Sequence, residues 1–73
     1  MRKPSKDLLN NLSKNLRYYR KYNELSQEEL ADTCGLHRTY IGSVERGERN
    51  VTLSTLETLA NTLKITIFQL LED

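Results

Sequence analysis

Cys34 and His37 lie three residues apart and are the residue types that bind zinc or pair as a nucleophile and its base. The sequence contains no other cysteine or histidine, so a structural zinc site would lack its second pair of ligands and no internal disulfide can form. No neighbouring residue in the sequence is a candidate to orient the histidine for catalysis. We therefore expect Cys34 to be a buried structural residue, in a protein that is not an enzyme and has neither a metal nor a cofactor.

The helix predicted immediately after this pair has a polar face. With about 3.6 residues per turn, Ile41 and Val44 fall on one side, which predicts that this side packs on the core. Hydrogen-bonding residues and one glycine fall on the opposite side, which we expect to be exposed: Arg38, Thr39, Gly42, Ser43 and Arg46. A polar face of this kind on a short helix requires a functional explanation.

Five predicted helices position this face, and the fold class is all-α because no segment has the alternating pattern of a strand. A chain of 73 residues is long enough for one small, compact domain, which we place at 1–73. Capping signals mark two helix starts, Ser26 with Glu29 and Thr66 with Gln69. The predictions are Ser5 to Tyr22 for helix 1, Ser26 to Gly35 for helix 2, Arg38 to Arg46 for helix 3, a start at Thr52 or Ser54 for helix 4, and Ile67 to about Glu72 for helix 5.

An apolar stripe along the helices predicts the core. Its members are Leu9, Leu12, Leu16 and Tyr19 in helix 1, Leu36, Ile41 and Val44 at helix 3, Leu53, Leu56, Leu59, Ala60 and Leu63 in helix 4, and Ile67, Leu70 and Leu71 in helix 5. At the corner between helices 2 and 3, Gly35 can take the left-handed conformation and Ala31 lets the two helices approach closely. We expect this pair of helices to be rigid, with helix 3 directed outward.

The net charge of +1 results from an uneven distribution along the chain. Residues 1–22 carry seven Lys or Arg, among them Arg2, against Asp7, which gives a net charge of +6, whereas residues 23–36 carry a net charge of −4. Such a distribution fits either nucleic-acid binding or an ordinary solvated surface. No apolar run is long enough for a signal-peptide core or a membrane span, so we expect a soluble, cytoplasmic protein.

The spacing of the corner residues resembles that of a known motif. Counting from Gln27 as the first position, Ala31 is fifth, Gly35 ninth, Ile41 fifteenth and Val44 eighteenth. Together with "SQEELA", "IxxVERG" and "LSTLETLANTL", this order resembles the helix-turn-helix (27–46) of the phage repressor and Cro-like (Xre) family. "RTYI" followed by "ERGERN" resembles more narrowly the controller proteins of restriction-modification systems. A Cro-like repressor, an antitoxin, or a helical protein-interaction module without DNA binding are the alternatives.

The resemblance implies that helix 3 lies in the major groove of double-stranded DNA and that helix 2 contacts the backbone. Arg38 would then reach guanine, Thr39 a thymine methyl group, and Gln27 a phosphate. Gly42, without a side chain, would let the helix approach the groove floor. The implied DNA-binding residues are Gln27, Arg38, Thr39, Tyr40, Gly42, Ser43, Arg46 and Arg49.

The same resemblance implies two further contacts. Arg20 and Glu45 stand opposite each other in this family, which predicts an ion pair between helix 1 and the end of helix 3. Phe68 lies off the inward stripe of helix 5, and with Leu63 and Leu71 it would form an apolar patch. We expect a homodimer through segment 59–73 that binds a palindromic operator, with no membrane and no small-molecule ligand as partner.

Overall fold

Five α-helices follow one another in the computed structural model, which describes residues 3–73. They are α1 (Lys6–Tyr22), α2 (Gln27–Cys34), α3 (Arg38–Glu45), α4 (Leu53–Leu63) and α5 (Ile67–Leu71). No strand occurs within these residues, so the predicted all-α class is confirmed. Arg2, which was counted in the basic N-terminal block, lies outside the described residues.

Four of the five helices begin where a serine or threonine side chain caps a free N–H group, and α3 is the exception, because His37 before it makes no such hydrogen bond. At α2, the Ser26 hydroxyl accepts from the N–H of Glu29 at 3.0 Å and the Glu29 carboxylate accepts from the N–H of Ser26 at 2.9 Å. Thr66 and Gln69 repeat this reciprocal arrangement at α5, at 3.1 and 2.9 Å. Each of these pairs satisfies two backbone donors that a helix start otherwise leaves free, so both predicted capping boxes are confirmed.

Gly35 ends α2 in the left-handed conformation, with φ of 69°. The N–H of Leu36 then donates to the carbonyl of Ala31 at 2.8 Å, which closes the last turn and redirects the chain into α3. Lys64 ends α4 in the same conformation, with φ of 60°, although it is not a glycine. The Lys64 turn was not predicted, because lysine carries no sequence signal for a left-handed position.

The core lies between all five helices. Its buried apolar members are Leu12, Leu16, Leu30, Ala31, Ile41, Val44, Leu56, Leu59, Ala60, Leu63 and Leu70. Tyr19, Leu36, Ile67 and Leu71 are half-buried and pack against this core. The prediction for Leu53 was wrong: its side chain is 79% exposed, because it stands in the first turn of α4, before the part of the helix that meets the core.

Within residues 3–73, no helix has the length and apolar content needed to cross a membrane.

Candidate nucleic-acid interface

The α2–α3 corner is anchored from its inner side. Ala31 on α2 is 1% exposed, and Ile41 and Val44 on α3 are 0% and 1% exposed. A side chain larger than alanine at residue 31 would push the two helices apart, since protein interiors have no spare volume at such crossings. The corner therefore anchors α3 to the core along its inner side, as its sequence predicts.

Arg20 and Glu45 form the ion pair that joins α1 to the last residue of α3. The Arg20 Nε donates to Glu45 Oε2 at 2.6 Å and Nη2 donates to Oε1 at 3.0 Å, so the contact is bidentate. The two side chains are 12% and 4% exposed. The hydrogen bond to the carboxylate raises the pKa of Arg20 above its ordinary value, which reflects how strongly the pair favours the charged form of the arginine.

Glu45 connects three helices, which sequence reasoning did not foresee. Its carboxylate Oε1 also accepts from the Gln27 amide at 3.1 Å. Its backbone carbonyl accepts from Arg17 Nη1 at 2.8 Å and from the Ser13 hydroxyl. A signal for Ser13 was present, because a serine one turn after Leu9 and beside Leu12 lies within the apolar stripe of α1 and needs a buried partner. These bonds fix the end of α3 to α1 and to the start of α2.

The start of α2 does not leave the Gln27 side chain free. Gln27 is half-buried and its amide nitrogen is already bonded to Glu45, so a phosphate contact through that nitrogen would compete with the carboxylate. Next to it, Arg38 and three acidic residues line an open groove of about 470 Å³: Glu28, Glu29 and Asp32. An anion at this helix start would meet the backbone N–H groups favourably and these carboxylates unfavourably.

The outer face of α3 is only partly exposed. Arg38 and Thr39 are exposed, as expected, but Gly42 and Ser43 are buried. The expectation that these two residues lie open on the polar face was wrong, because longer side chains from neighbouring turns cover them. A Cβ added to Gly42 would lie 3.1 Å from Nη1 of Arg46 and 3.8 Å from Oε1 of Gln27.

Ser43, Tyr40 and Arg49 form a second cluster beside α3. The Ser43 hydroxyl donates to the Tyr40 carbonyl at 2.7 Å and accepts from Arg49 Nε at 3.3 Å. The Arg49 guanidinium carbon lies 4.9 Å from the centre of the Tyr40 ring, a cation–π distance. Tyr40 is half-buried against the core. The cluster therefore holds Arg49, which follows α3 in the chain, against two residues of that helix.

The C-terminal patch differs from its prediction in one member. Phe68 is 82% exposed, and Leu71 is half-buried, but Leu63 is 2% exposed and belongs to the core. Leu63 faces inward because it is on the same side of α4 as Leu56 and Leu59, so it cannot contribute to a surface patch. Other exposed aromatic side chains, missed from the sequence, stand on α1: Tyr18 and Tyr22 are 60% and 75% exposed and stack with ring centres 6.4 Å apart.

Comparison with known proteins gives a match to one family and to several of its members. The family model HTH_3, described as helix-turn-helix, matches residues 16–70. The control protein C.SmaI of Serratia marcescens is 60% identical over 65 residues, which cover 89% of this chain and 77% of that protein.

Two solved structures are similar over most of their own length. The restriction-modification controller protein C.AhdI from Aeromonas hydrophila superposes with a TM-score of 0.81 at 45% identity, covering 85% of this chain and 94% of that one. SinR, a master regulator for biofilm formation solved in complex with DNA, superposes with a TM-score of 0.79 at 29% identity, covering 84% of this chain and 98% of that one.

Proposed function

The chain belongs to the helix-turn-helix family HTH_3, and on that premise we propose that it is a sequence-specific DNA-binding transcription regulator of the restriction-modification controller type. The observation that carries the proposal is the way in which α3 is packed on the core. This helix is fixed from behind by Ile41, Val44 and the Glu45 network, while Arg38 and Thr39 remain exposed at its N-terminal end. A rigid helix with free donors at its start is the arrangement by which this motif reads base edges in the major groove.

Individual contacts follow from the chemistry of the exposed side chains. The planar guanidinium of Arg38 can donate two parallel hydrogen bonds to O6 and N7 of guanine, and the Thr39 methyl group can contact that of thymine. The N–H groups at the start of α2 serve a phosphate, and Gln27 joins them by exchanging its bond to Glu45 for one to the phosphate. Arg46 and Arg49 extend the interface beyond the end of α3. Ser43, which is buried, acts by holding Arg49 and Tyr40 in place.

A dimer would complete the readout. An α3 of eight residues contacts few base pairs, and two copies related by a two-fold axis would place their recognition helices about 34 Å apart, in successive major grooves of a palindromic operator. The exposed Phe68 on α5 supports an interface there, because an aromatic side chain that is 82% exposed gains from burial against a second copy. Such a regulator acts in the cytoplasm, where operator DNA is found, and needs no cofactor.

Selection from a library of random double-stranded DNA tests the DNA-binding proposal. We expect the wild type to enrich one palindromic site and to lose affinity steeply as salt rises, because each phosphate contact releases counterions. Replacing Arg38 with alanine should relax the preference at one base pair of each half-site by roughly 1 to 3 kcal/mol. Gln27→Ala should weaken all sequences alike. Lys21→Gln, which removes a charge from the exposed side of α1, outside both the candidate interface and segment 59–73, is the matched control and should keep the wild-type preference.

Two results would count against these assignments. An Arg38→Ala variant with unchanged preference would move Arg38 from base reading to a phosphate contact. A wild type that enriches no sequence and binds DNA with no salt dependence would favour a module that binds protein.

Sedimentation of Phe68→Glu tests the dimer. We expect this variant to be monomeric at micromolar concentrations at which the wild type is dimeric, because a carboxylate would be desolvated at the centre of the interface. Leu53→Glu is the matched control, since Leu53 is 79% exposed and receives the same charge on a helix surface away from α5. If Phe68→Glu dimerises as tightly as the wild type, the interface lies elsewhere.

A further inference from the structure

Gly42 stands at the middle of the outer face of α3, and another residue's side chain occupies the space above it. Arg38, Gly42 and Arg46 are spaced four residues apart and so lie along one face of the helix. The Arg46 guanidinium lies directly against Gly42: its Nη1 would be 3.1 Å from a Cβ built on that residue, closer than side-chain carbons ordinarily stand. Any residue other than glycine at this position would require the guanidinium to shift by a few tenths of an ångström or more.

The direction of the Arg46 side chain explains how it reaches that place. Side chains on a helix lean toward its N-terminus, so a residue at the end of α3 covers the turn before its own Cα. Arg46 follows Glu45, the last residue of the helix, and its guanidinium therefore returns by about one turn to the level of Gly42. Because Gly42 has no side chain, there is space above it for the Arg46 guanidinium.

Glu48 holds the guanidinium in that orientation. Its Oε1 lies 3.2 Å from Arg46 Nε, and both side chains are 58% exposed. With Nε facing the carboxylate, the two terminal nitrogens remain available as a fork, which is the end of arginine that matches O6 and N7 of guanine. An ion pair this exposed is weak, so it orients the side chain without preventing a small adjustment on binding.

We infer that the space left by the missing side chain of Gly42, which we call the seat, positions the Arg46 guanidinium at the centre of α3. Arg46 then reads a guanine there in place of a side chain at residue 42. This inference rests on the proposed function. Gly42 and Glu48 are positioning residues, and Arg46 makes the base contact. Four residues of helix rise by about 6 Å, so the guanine should lie within about two base pairs of the one read by Arg38.

The first part of the test needs no DNA. In the free protein, Gly42→Ala should change the NMR chemical shift of the Arg46 Nε–H group, because the added methyl group moves the guanidinium away from α3. Thermal unfolding of the same variant serves as the control for folding, and alanine in a helix should leave the melting temperature unchanged or raise it. An unshifted Arg46 signal would overturn the seat.

The second part measures base preference by site selection in wild type, Gly42→Ala, Arg46→Ala and the double variant. The two single variants should lose preference for guanine at the same position, Arg46→Ala by about five- to hundredfold and Gly42→Ala by less, while keeping the preference that depends on Arg38. In an Arg46→Ala background, Gly42→Ala should cause no further loss at that position, since its effect passes through the arginine.

The outcomes separate this inference from the function on which it rests. A wild type that selects no sequence overturns both. A wild type that selects a site through Arg38, with Gly42→Ala retaining the preference at every position, overturns the seat alone. The seat is also overturned if Gly42→Ala causes the same loss with and without Arg46, because the methyl group would then act directly on the DNA.

Discussion

Replacing Glu45 with alanine would remove the acceptor on which α1, α2 and α3 converge. The two guanidinium donors of Arg20 would lose their partner in a site where the arginine side chain is only 12% exposed, and the Gln27 amide would lose its acceptor as well. Breaking a buried ion pair by removing one partner costs roughly 3 to 5 kcal/mol. We expect a loss of about 3 kcal/mol, because Arg20 keeps its bond to the Leu25 carbonyl at 2.9 Å and its head can still reach solvent.

A loss of this size is large for the whole domain. At roughly 0.05 to 0.15 kcal/mol per residue, a chain of 73 residues has a total stability of about 4 to 11 kcal/mol. For a domain of this length the melting temperature should fall by about 12 to 24 °C. Urea denaturation followed by circular dichroism, at one fixed protein concentration because a dimer would link stability to concentration, measures the change.

The chain contains its own control in the ion pair of Arg46 with Glu48. That pair is 58% exposed on both sides, so Glu48→Ala should cost at most about 1 kcal/mol. The double variant Arg20→Met, Glu45→Ala should lose less free energy of unfolding than the two single variants lose together. The reason is that no unpaired charge remains when both members of the ion pair are replaced. A Glu45→Ala variant no less stable than Glu48→Ala would refute the reasoning from burial.

The capping box of α2 predicts a dependence on pH, because hydrogen bonds from the backbone N–H and the hydroxyl of Ser26 lower the pKa of Glu29. The contribution of Glu29 to stability is therefore present above the ordinary glutamate pKa of about 4.3 and is lost as pH falls through the lowered pKa. Glu29→Gln keeps an acceptor but does not titrate, so urea denaturation across this range should show a shallower acid loss, and equal slopes would contradict the assignment. Exposure also separates two leucines of the α4 stripe: Leu53→Ala should change the free energy of unfolding by less than about 0.5 kcal/mol, whereas Leu56→Ala, at a residue that is 6% exposed, should cost roughly 2 to 5 kcal/mol. A loss at Leu53 as large as at Leu56 would mean that Leu53 is covered by a second copy of the chain.

The sequence predicted helix starts well because capping is a local event. Ser26 with Glu29 and Thr66 with Gln69 lie within one turn, so their residue types alone determine which hydrogen bonds can form. The same locality made Gly35 recognisable as a helix end. Lys64 adopts a similar left-handed conformation without any such residue type, and its N–H donates to the Asn61 carbonyl at 3.2 Å as α4 ends.

Burial along a helix was predicted less well at its ends and on its outer face. Periodicity gives the side of a helix on which a residue lies, but it does not tell where the neighbouring helices end, which is why Leu53 was assigned to the core. Periodicity also does not account for side chains from a later turn that extend back and cover an earlier residue. Gly42 and Ser43 are therefore on the predicted side of α3 and yet are buried beneath Arg46, Gln27 and Arg49.

This covering changes what the candidate interface consists of. An α3 of eight residues with its inner side in the core exposes Arg38 and Thr39 at its start, and the middle of its outer face presents the side chains of other segments. Arg46 and Arg49 come from the turn after the helix, and Gln27 comes from the start of α2. Gln27 and Arg49 depend on buried residues for their positions, Gln27 on Glu45 and Arg49 on Ser43, whereas Arg46 pairs with the exposed Glu48. Changes at buried Glu45 or Ser43 should therefore alter binding through the side chains that they hold, even though neither residue is exposed.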